Sequence, residues 1–186
     1  ELALGSAGDD TFTNSTTNSA EIRGKDGNDT ILGGDGHESL HGDVGDDVVV
    51  ANGGNDVLSG GSGNDQLDSG AGNDTLSGDA GADVLIAGDG NDTLLFDTDD
   101  TIDGGTGRDV ALYQSTDDLV LNVDEVGIEE AHGNAGSDRL SSTKGQSVTL
   151  FGKGGDDVLT TDTGNDALFG GDGDDTIASA GGHNIL

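Results

Sequence analysis

The chain has 186 residues, of which 38 are acidic and 6 basic, giving a formal net charge of −32. With 30% hydrophobic and 3% aromatic residues, it carries too little apolar surface to offset the entropy of ordering by core burial alone. Either it is disordered or something outside the sequence stabilises it, and a metal suits so anionic a chain. Arg23, Lys25, Arg108, Arg139, Lys144 and Lys153 are scattered, which excludes nucleic acid as a partner and disfavours anionic membrane surfaces. No apolar run reaches the length of a membrane span. With no Cys there are no disulfides, which leaves the redox compartment open.

The opening, Glu1-Leu2-Ala3-Leu4, has no initiator Met and no basic-then-apolar leader pattern. The end at Leu186 stops one residue short of completing a repeat. The chain is therefore expected to be a segment of a longer protein. An outlying unit, GSAGDDTFT (5–13), precedes STTNSAEIR (15–23). The latter has Ala20 where an acid would stand, so a strand at Ile22 without an ion is expected there.

From residue 24 the chain falls into nines: GKDGNDTIL (24–32), GGDGHESLH (33–41), GDVGDDVVV (42–50), ANGGNDVLS (51–59), GGSGNDQLD (60–68), SGAGNDTLS (69–77), GDAGADVLI (78–86) and AGDGNDTLL (87–95). Such a fixed period is the mark of a repeat architecture. GGTGRDVAL (104–112), GNAGSDRLS (133–141), GKGGDDVLT (152–160), TDTGNDALF (161–169) and GGDGDDTIA (170–178) resume the pattern. Position four is Gly27, Gly36, Gly45, Gly54, Gly63, Gly72, Gly81, Gly90, Gly107, Gly136, Gly155, Gly164 and Gly173, as a backbone with positive φ or close chain approach requires. Position five favours Asn or Asp, which suit turns. Position eight is aliphatic, from Ile31 to Leu94. Each unit thus reads as a six-residue turn and a three-residue strand, with position eight pointing inward.

One apolar side chain per nine residues cannot support an open sheet. It can fill a thin roll in which two units make one 18-residue coil and strands alternate between two parallel sheets. Position six then forms two columns of acids: Asp29, Asp47, Asp65 and Asp83 in one, Glu38, Asp56, Asp74 and Asp92 in the other. Stacked carboxylates repel unless a cation lies between them. Turns about 4.8 Å apart leave room for an ion bound by oxygens at about 2.3–2.6 Å, which favours Ca²⁺ over Zn²⁺ or Mg²⁺. Roughly six ions would fill the first block, and roughly eight to ten in all would cancel about half the net charge.

The units GGSGNDQLD and AGDGNDTLL resemble the RTX (haemolysin-type) calcium-binding nonapeptide repeat. The resemblance implies an all-β, right-handed parallel β-roll with Ca²⁺ between successive turns. It also implies export from a Gram-negative bacterium to the extracellular space by type I secretion machinery. The position-six acids would then be the ligands: Asp10, Asp29, Glu38, Asp47, Asp56, Asp65, Asp74, Asp83, Asp92, Asp109, Asp138, Asp157, Asp166 and Asp175. The expected domains are a first roll block (1–112), metal-poor bridging strands (113–132) and a second block (133–186).

The pattern breaks in places. Residues 96–103 lack the Gly turn, although Asp100 and Ile102 nearly keep phase. LVLNVDEVGIEEAH, within 113–132, alternates like a strand. Residues 142–151 lack the acid, and Lys144 is expected near its place. Phe96 and Phe151 are candidates to plug the core where coils lose register, against ordinary local packing.

His37-Glu38-Ser39-Leu40-His41 matches H-E-x-x-H, a zinc-protease signature that works on a helix, where residues four apart share one face. Here it straddles a turn and a strand in repeat phase, which would hold the two His about 13 Å apart, so no zinc site and no catalytic residues are expected. His132 and His183 read as isolated and solvated. The Asn-x-Thr sequons at Asn28, Asn73 and Asn91 are by-products of the repeat. The chain is expected to be a calcium-driven folding module of an exported protein rather than an enzyme. The alternatives are an adhesin or surface-layer repeat, or an accessory module of a secreted protease or polysaccharide-modifying enzyme, with polysaccharide or cell-surface contact through the parent.

Overall fold

A computed structural model describes residues 2–186. They form a parallel β-solenoid of 18-residue coils. One face is a continuous ten-stranded sheet made of Leu2–Leu4, Glu21–Asp26, Ser39–Val44, Val57–Ser62, Thr75–Ala80, Thr93–Phe96, Val110–Tyr113, Glu130–His132, Thr149–Gly154 and Ala167–Asp172. The opposite face is divided. A first sheet holds Thr11–Thr13, Thr30–Leu32, Val48–Val50, Gln66–Ala71, Val84–Gly90, Thr101–Asp103 and Thr106–Gly107. A second holds Val120–Asn122, Arg139–Ser141, Val158–Thr161 and Thr176–Ser179. The regular coils repeat in register: Leu40 pairs with Leu58 and Leu58 with Leu76, while Val49 pairs with Leu67 and Leu67 with Leu85.

Each position-eight side chain points inward because successive residues of a strand face opposite ways. Ile31, Leu40, Val49, Leu58, Leu67, Leu76, Leu85 and Leu94 are all fully buried, and Leu140, Leu150, Leu159 and Leu168 continue the core. Only one aliphatic side chain is buried for every nine residues that must be ordered, a small apolar gain against the backbone entropy lost. The core therefore sets the register but leaves the coil in need of another stabiliser.

Many strands are longer than the three residues expected. Thr30–Leu32 and Val48–Val50 keep to three, but most strands of the regular coils run to six or seven, because pairing continues into the next unit, as in Asp43 with Gly61 and Val44 with Ser62. The chain rounds this corner at position two, which is left-handed whether it is Gly61 (φ 112°) or Lys25 (φ 85°). Asn and Asp tolerate that region better than most residues, and position two is indeed Asp43, Asn52 or Asp79 in other coils.

The irregular stretch shows two departures. The strand expected through LVLNVDEVGIEEAH is cut by a 3₁₀ turn at Val123–Glu125, started by the Asn122 side chain accepting from the Asp124 N–H at 3.3 Å. Lys144 is not where the missing acid would stand; Val148, buried, holds that place, and its N–H donates to Asp166 Oδ1 at 3.2 Å. Asp124 instead organises this coil. Its carboxylate accepts from Ser142 Oγ and from the N–H groups of Thr143 and Lys144, while Lys144 Nζ donates to the Asp124 carbonyl at 2.6 Å.

The two Phe candidates differ. Phe96 is buried against Tyr113, with ring centroids 5.3 Å apart, and lies in the core as a plug should. Phe151 lies at position nine, which faces outward, so it stacks on the surface between His132 (4.4 Å) and Phe169 (4.9 Å). His132 is thus engaged rather than isolated, and its Nε2 also contacts Glu130 Oε1 at 2.9 Å. His183 donates its main-chain N–H to Asn165 Oδ1. No helix among the described residues is long and apolar enough to cross a membrane.

Candidate metal centres

The position-six Asp of each regular turn reaches the main chain of the coil before it, while Glu38 Oε1 accepts instead from Asn14 Nδ2 at 3.1 Å. Asp47 Oδ1 accepts the main-chain N–H of Asp29 at 2.6 Å, Asp65 Oδ1 that of Asp47 at 2.7 Å, and Asp83 Oδ1 that of Asp65 at 2.7 Å. Along the other edge, Asp56, Asp74, Asp92 and Asp109 do the same for Glu38, Asp56, Asp74 and Asp92. The two expected columns of acids are therefore present. In the second half, Asp157 receives Asp138 and Asp175 receives Asp157.

That bond uses one carboxylate oxygen. The other is buried without any hydrogen-bond partner in Asp29, Glu38, Asp47, Asp56, Asp65, Asp74, Asp83, Asp92, Asp109, Asp157 and Asp166. Buried polar atoms are rarely left unpaired, since each costs about 1–3 kcal/mol, and more when charged. Burial pushes the Asp65 carboxyl up to about 7 and those of Asp83 and Asp109 to about 6; neighbouring carboxylates push the same way, while the accepted N–H pulls back. Asp29, Glu38, Asp47, Asp56, Asp74, Asp92, Asp100 and Asp157 are also raised, burial being the largest cause in each.

Along one edge the space beside each orphan oxygen is made by glycine. On the first edge, a Cβ at Gly24, Gly42, Gly60, Gly78, Gly152 or Gly170 would fall on the carboxylate oxygen of its own turn's Asp. A Cβ at Gly42 would also meet the Gly60 carbonyl oxygen at 2.6 Å. The second edge differs in three of its turns, where position one is Ala51, Ser69 or Ala87, all fully buried. At position four, a Cβ on Gly54, Gly72 or Gly90 would run into the carbonyl oxygen of the position-four Gly one coil earlier. Main-chain carbonyls therefore crowd the same zone as the carboxylates.

A second ladder, at position five, runs in the opposite sense. Asn28 Oδ1 accepts the N–H of Asp46, Asp46 Oδ1 that of Asn64, and Asn64 Oδ1 that of Ala82. Turn preference alone explains Asn at this position in the sequence; only the 18-residue stacking reveals its acceptor role.

Three of the fourteen expected acids differ. Asp10 Oδ2 is taken by the Ser6 N–H and Oγ. Asp138 spends both oxygens, on the Leu119 and Asn134 N–H groups. Asp175 is only half-buried and its Oδ2 has no place among the buried orphans. Two acids outside the expected set join the columns: Asp100 Oδ1 accepts the Asp83 N–H at 2.9 Å, and Glu129 Oε2 accepts the Asp109 N–H at 2.9 Å. Asp100 nearly keeps phase in the sequence; Glu129 carries no repeat signal.

No group of three or more His, Cys, Asp or Glu side chains converges among the described residues. A zinc-type chelate of side chains is therefore not formed, and the H-E-x-x-H match dissolves: Glu38 is buried in its column, His37 Nδ1 accepts the Asn55 N–H, and His41 Nε2 contacts Ser39 Oγ. The donor set is one carboxylate per turn plus carbonyls, all hard oxygen. The model of the RTX calcium-binding nonapeptide repeat matches residues 17–49, 32–67, 41–76, 68–99, 95–111 and 151–186, well over half of the chain. The chain belongs to this family. RTX repeats bind Ca²⁺ at multiple sites, and the orphan oxygens and glycine-walled spaces fit that ion. The RTX roll is a structural calcium-binding domain, not a catalytic one. No curated protein matches the chain.

Proposed function

We propose that this chain is a calcium-responsive folding module of an exported protein, and that its position-six acids are the side-chain ligands. The observation that carries the reading is the set of eleven buried carboxylate oxygens without a partner. A Ca²⁺ ion supplies the positive charge those oxygens lack. Asp47, Asp65, Asp56 and Asp74, with their equivalents in each column, hold it together with turn carbonyls. The residues' own part is to fix one oxygen on a neighbouring N–H and so aim the other.

Without the ion, each coil must bury like charges one above another, and the core is too thin to offset this. Metal affinity then becomes folding free energy. In a compartment poor in calcium the chain stays unfolded and fit for export; in millimolar calcium outside the cell it folds. Type I secretion from a Gram-negative bacterium follows from the family resemblance.

A calcium titration followed by far-ultraviolet circular dichroism tests the reading. The expected result is disorder in excess chelator and a sheet signal that grows with calcium. A strong sheet signal in chelator at pH above 7 overturns it.

A further inference from the structure

We propose that Glu129, an acid outside every nonapeptide, completes one more calcium site with Asp109 at the end of the second column. This rests on the reading of the buried acids as calcium ligands. The RTX matches leave residues 112–150 uncovered, so nothing in the repeat pattern assigns Glu129 a role.

The geometry one coil earlier provides the comparison. Asp109 sits on Asp92 by accepting its N–H at 2.8 Å; Glu129 sits on Asp109 by accepting its N–H at 2.9 Å. The main chain keeps step: the Val110 N–H reaches the Asp92 carbonyl at 2.8 Å, and the Glu130 N–H reaches the Asp109 carbonyl at 3.0 Å. Asp109 is fully buried, and its Oδ2 has no partner. A carbonyl is also supplied, since a Cβ on Gly104 would run into the Gly127 oxygen, much as one on Gly42 would meet that of Gly60. Glu129 lies 20 residues beyond Asp109 rather than 18, so it reaches the column from a coil lengthened by the 3₁₀ segment Val123–Glu125.

Two neighbours sharpen the assignment. Arg108, the cation nearest in sequence, is paired with Glu130 at 3.0 Å. Asp100, which closes the first column, spends both oxygens on N–H groups, from Asp83 and Asp97, so it ends its column by hydrogen bonding alone. Beyond Glu129 the next coil offers Val148 in place of an acid, so this run of acids is interrupted there and resumes only at Asp166.

Native mass spectrometry of the whole chain in calcium counts the ions. Glu129→Gln keeps an oxygen for the Asp109 N–H and removes the charge. It is expected to carry one ion fewer than the parent, with an unchanged sheet spectrum. The double variant D109N/E129Q is expected to lose no more ions than D109N alone, because both residues act on the same ion. An unchanged count in E129Q, or a larger loss in the double variant, overturns the inference while leaving the repeat sites standing. A parent chain that binds no calcium overturns both. Should E129Q fail to fold, Glu129→Asp must restore both sheet and ion count; if it restores the sheet without the ion, the inference falls.

Discussion

Asp65 takes the main-chain N–H of Asp47 on Oδ1 at 2.7 Å and leaves its Oδ2 buried with nothing to bond. One oxygen of the carboxylate is thus a satisfied acceptor and the other an unsatisfied one, and the two roles separate under mutation. In Asp65→Asn the amide oxygen still receives Asp47, but the charge is lost. With calcium present, stability should fall by about 1–3 kcal/mol and the calcium midpoint for folding should rise. Without calcium the same change should be neutral or stabilising, because a buried charge has gone. Thermal unfolding with calcium and with chelator checks both signs.

Acidity should oppose calcium and assist the metal-free chain. The folded-state carboxyl of Asp65 lies near 7 and those of Asp83 and Asp109 near 6, above the usual value of 3.8. Between these limits the folded chain holds more protons than the unfolded one, so metal-free stability rises as pH falls from about 7 to about 4 and is lost as pH rises through the folded values. Circular dichroism in chelator should therefore show sheet gained on acidification. In calcium, protons compete for the same oxygens, so calcium affinity should weaken over that window.

The two edges of the roll should tolerate substitution differently. Gly60→Ala places a methyl on Asp65 Oδ2, and Asp65 cannot move without giving up the Asp47 N–H. Ala87→Gly on the opposite edge removes only a buried methyl, worth about 1 kcal/mol. The first should lower calcium binding measured by calorimetry and the second should leave it unchanged.

Asp124 holds its coil with side-chain and main-chain hydrogen bonds alone. Asp124→Ala should destabilise the loaded chain by about 1–3 kcal/mol, for loss of bonds to a charged acceptor, without changing the number of ions bound. Thermal unfolding paired with native mass spectrometry separates this from a ligand effect.

Much of this was legible because a strict period fixes which residues stack. Leu40, Leu58 and Leu76 share a face at any 18-residue repeat, and so do Asp47 and Asp65. What escaped the sequence lies where phase is broken or where the main chain decides. Glu129 reaches its column through a 3₁₀ turn of a length no repeat specifies. Lys144 falls near the acid's place when positions are counted along the sequence, whereas the structure puts Val148 there. Phe151 faces outward because strand alternation, not hydrophobicity, sets its side.

The opposed ladders bind each turn to both of its neighbours. The N–H of Asn64 finds its acceptor, Asp46, eighteen residues earlier, whereas the N–H of Asp65 finds Asp83 eighteen residues later. A turn added at either end of the roll therefore both donates to its neighbour and accepts from it. The newest turn always carries one unanswered donor, which makes the tip the template for whatever comes next.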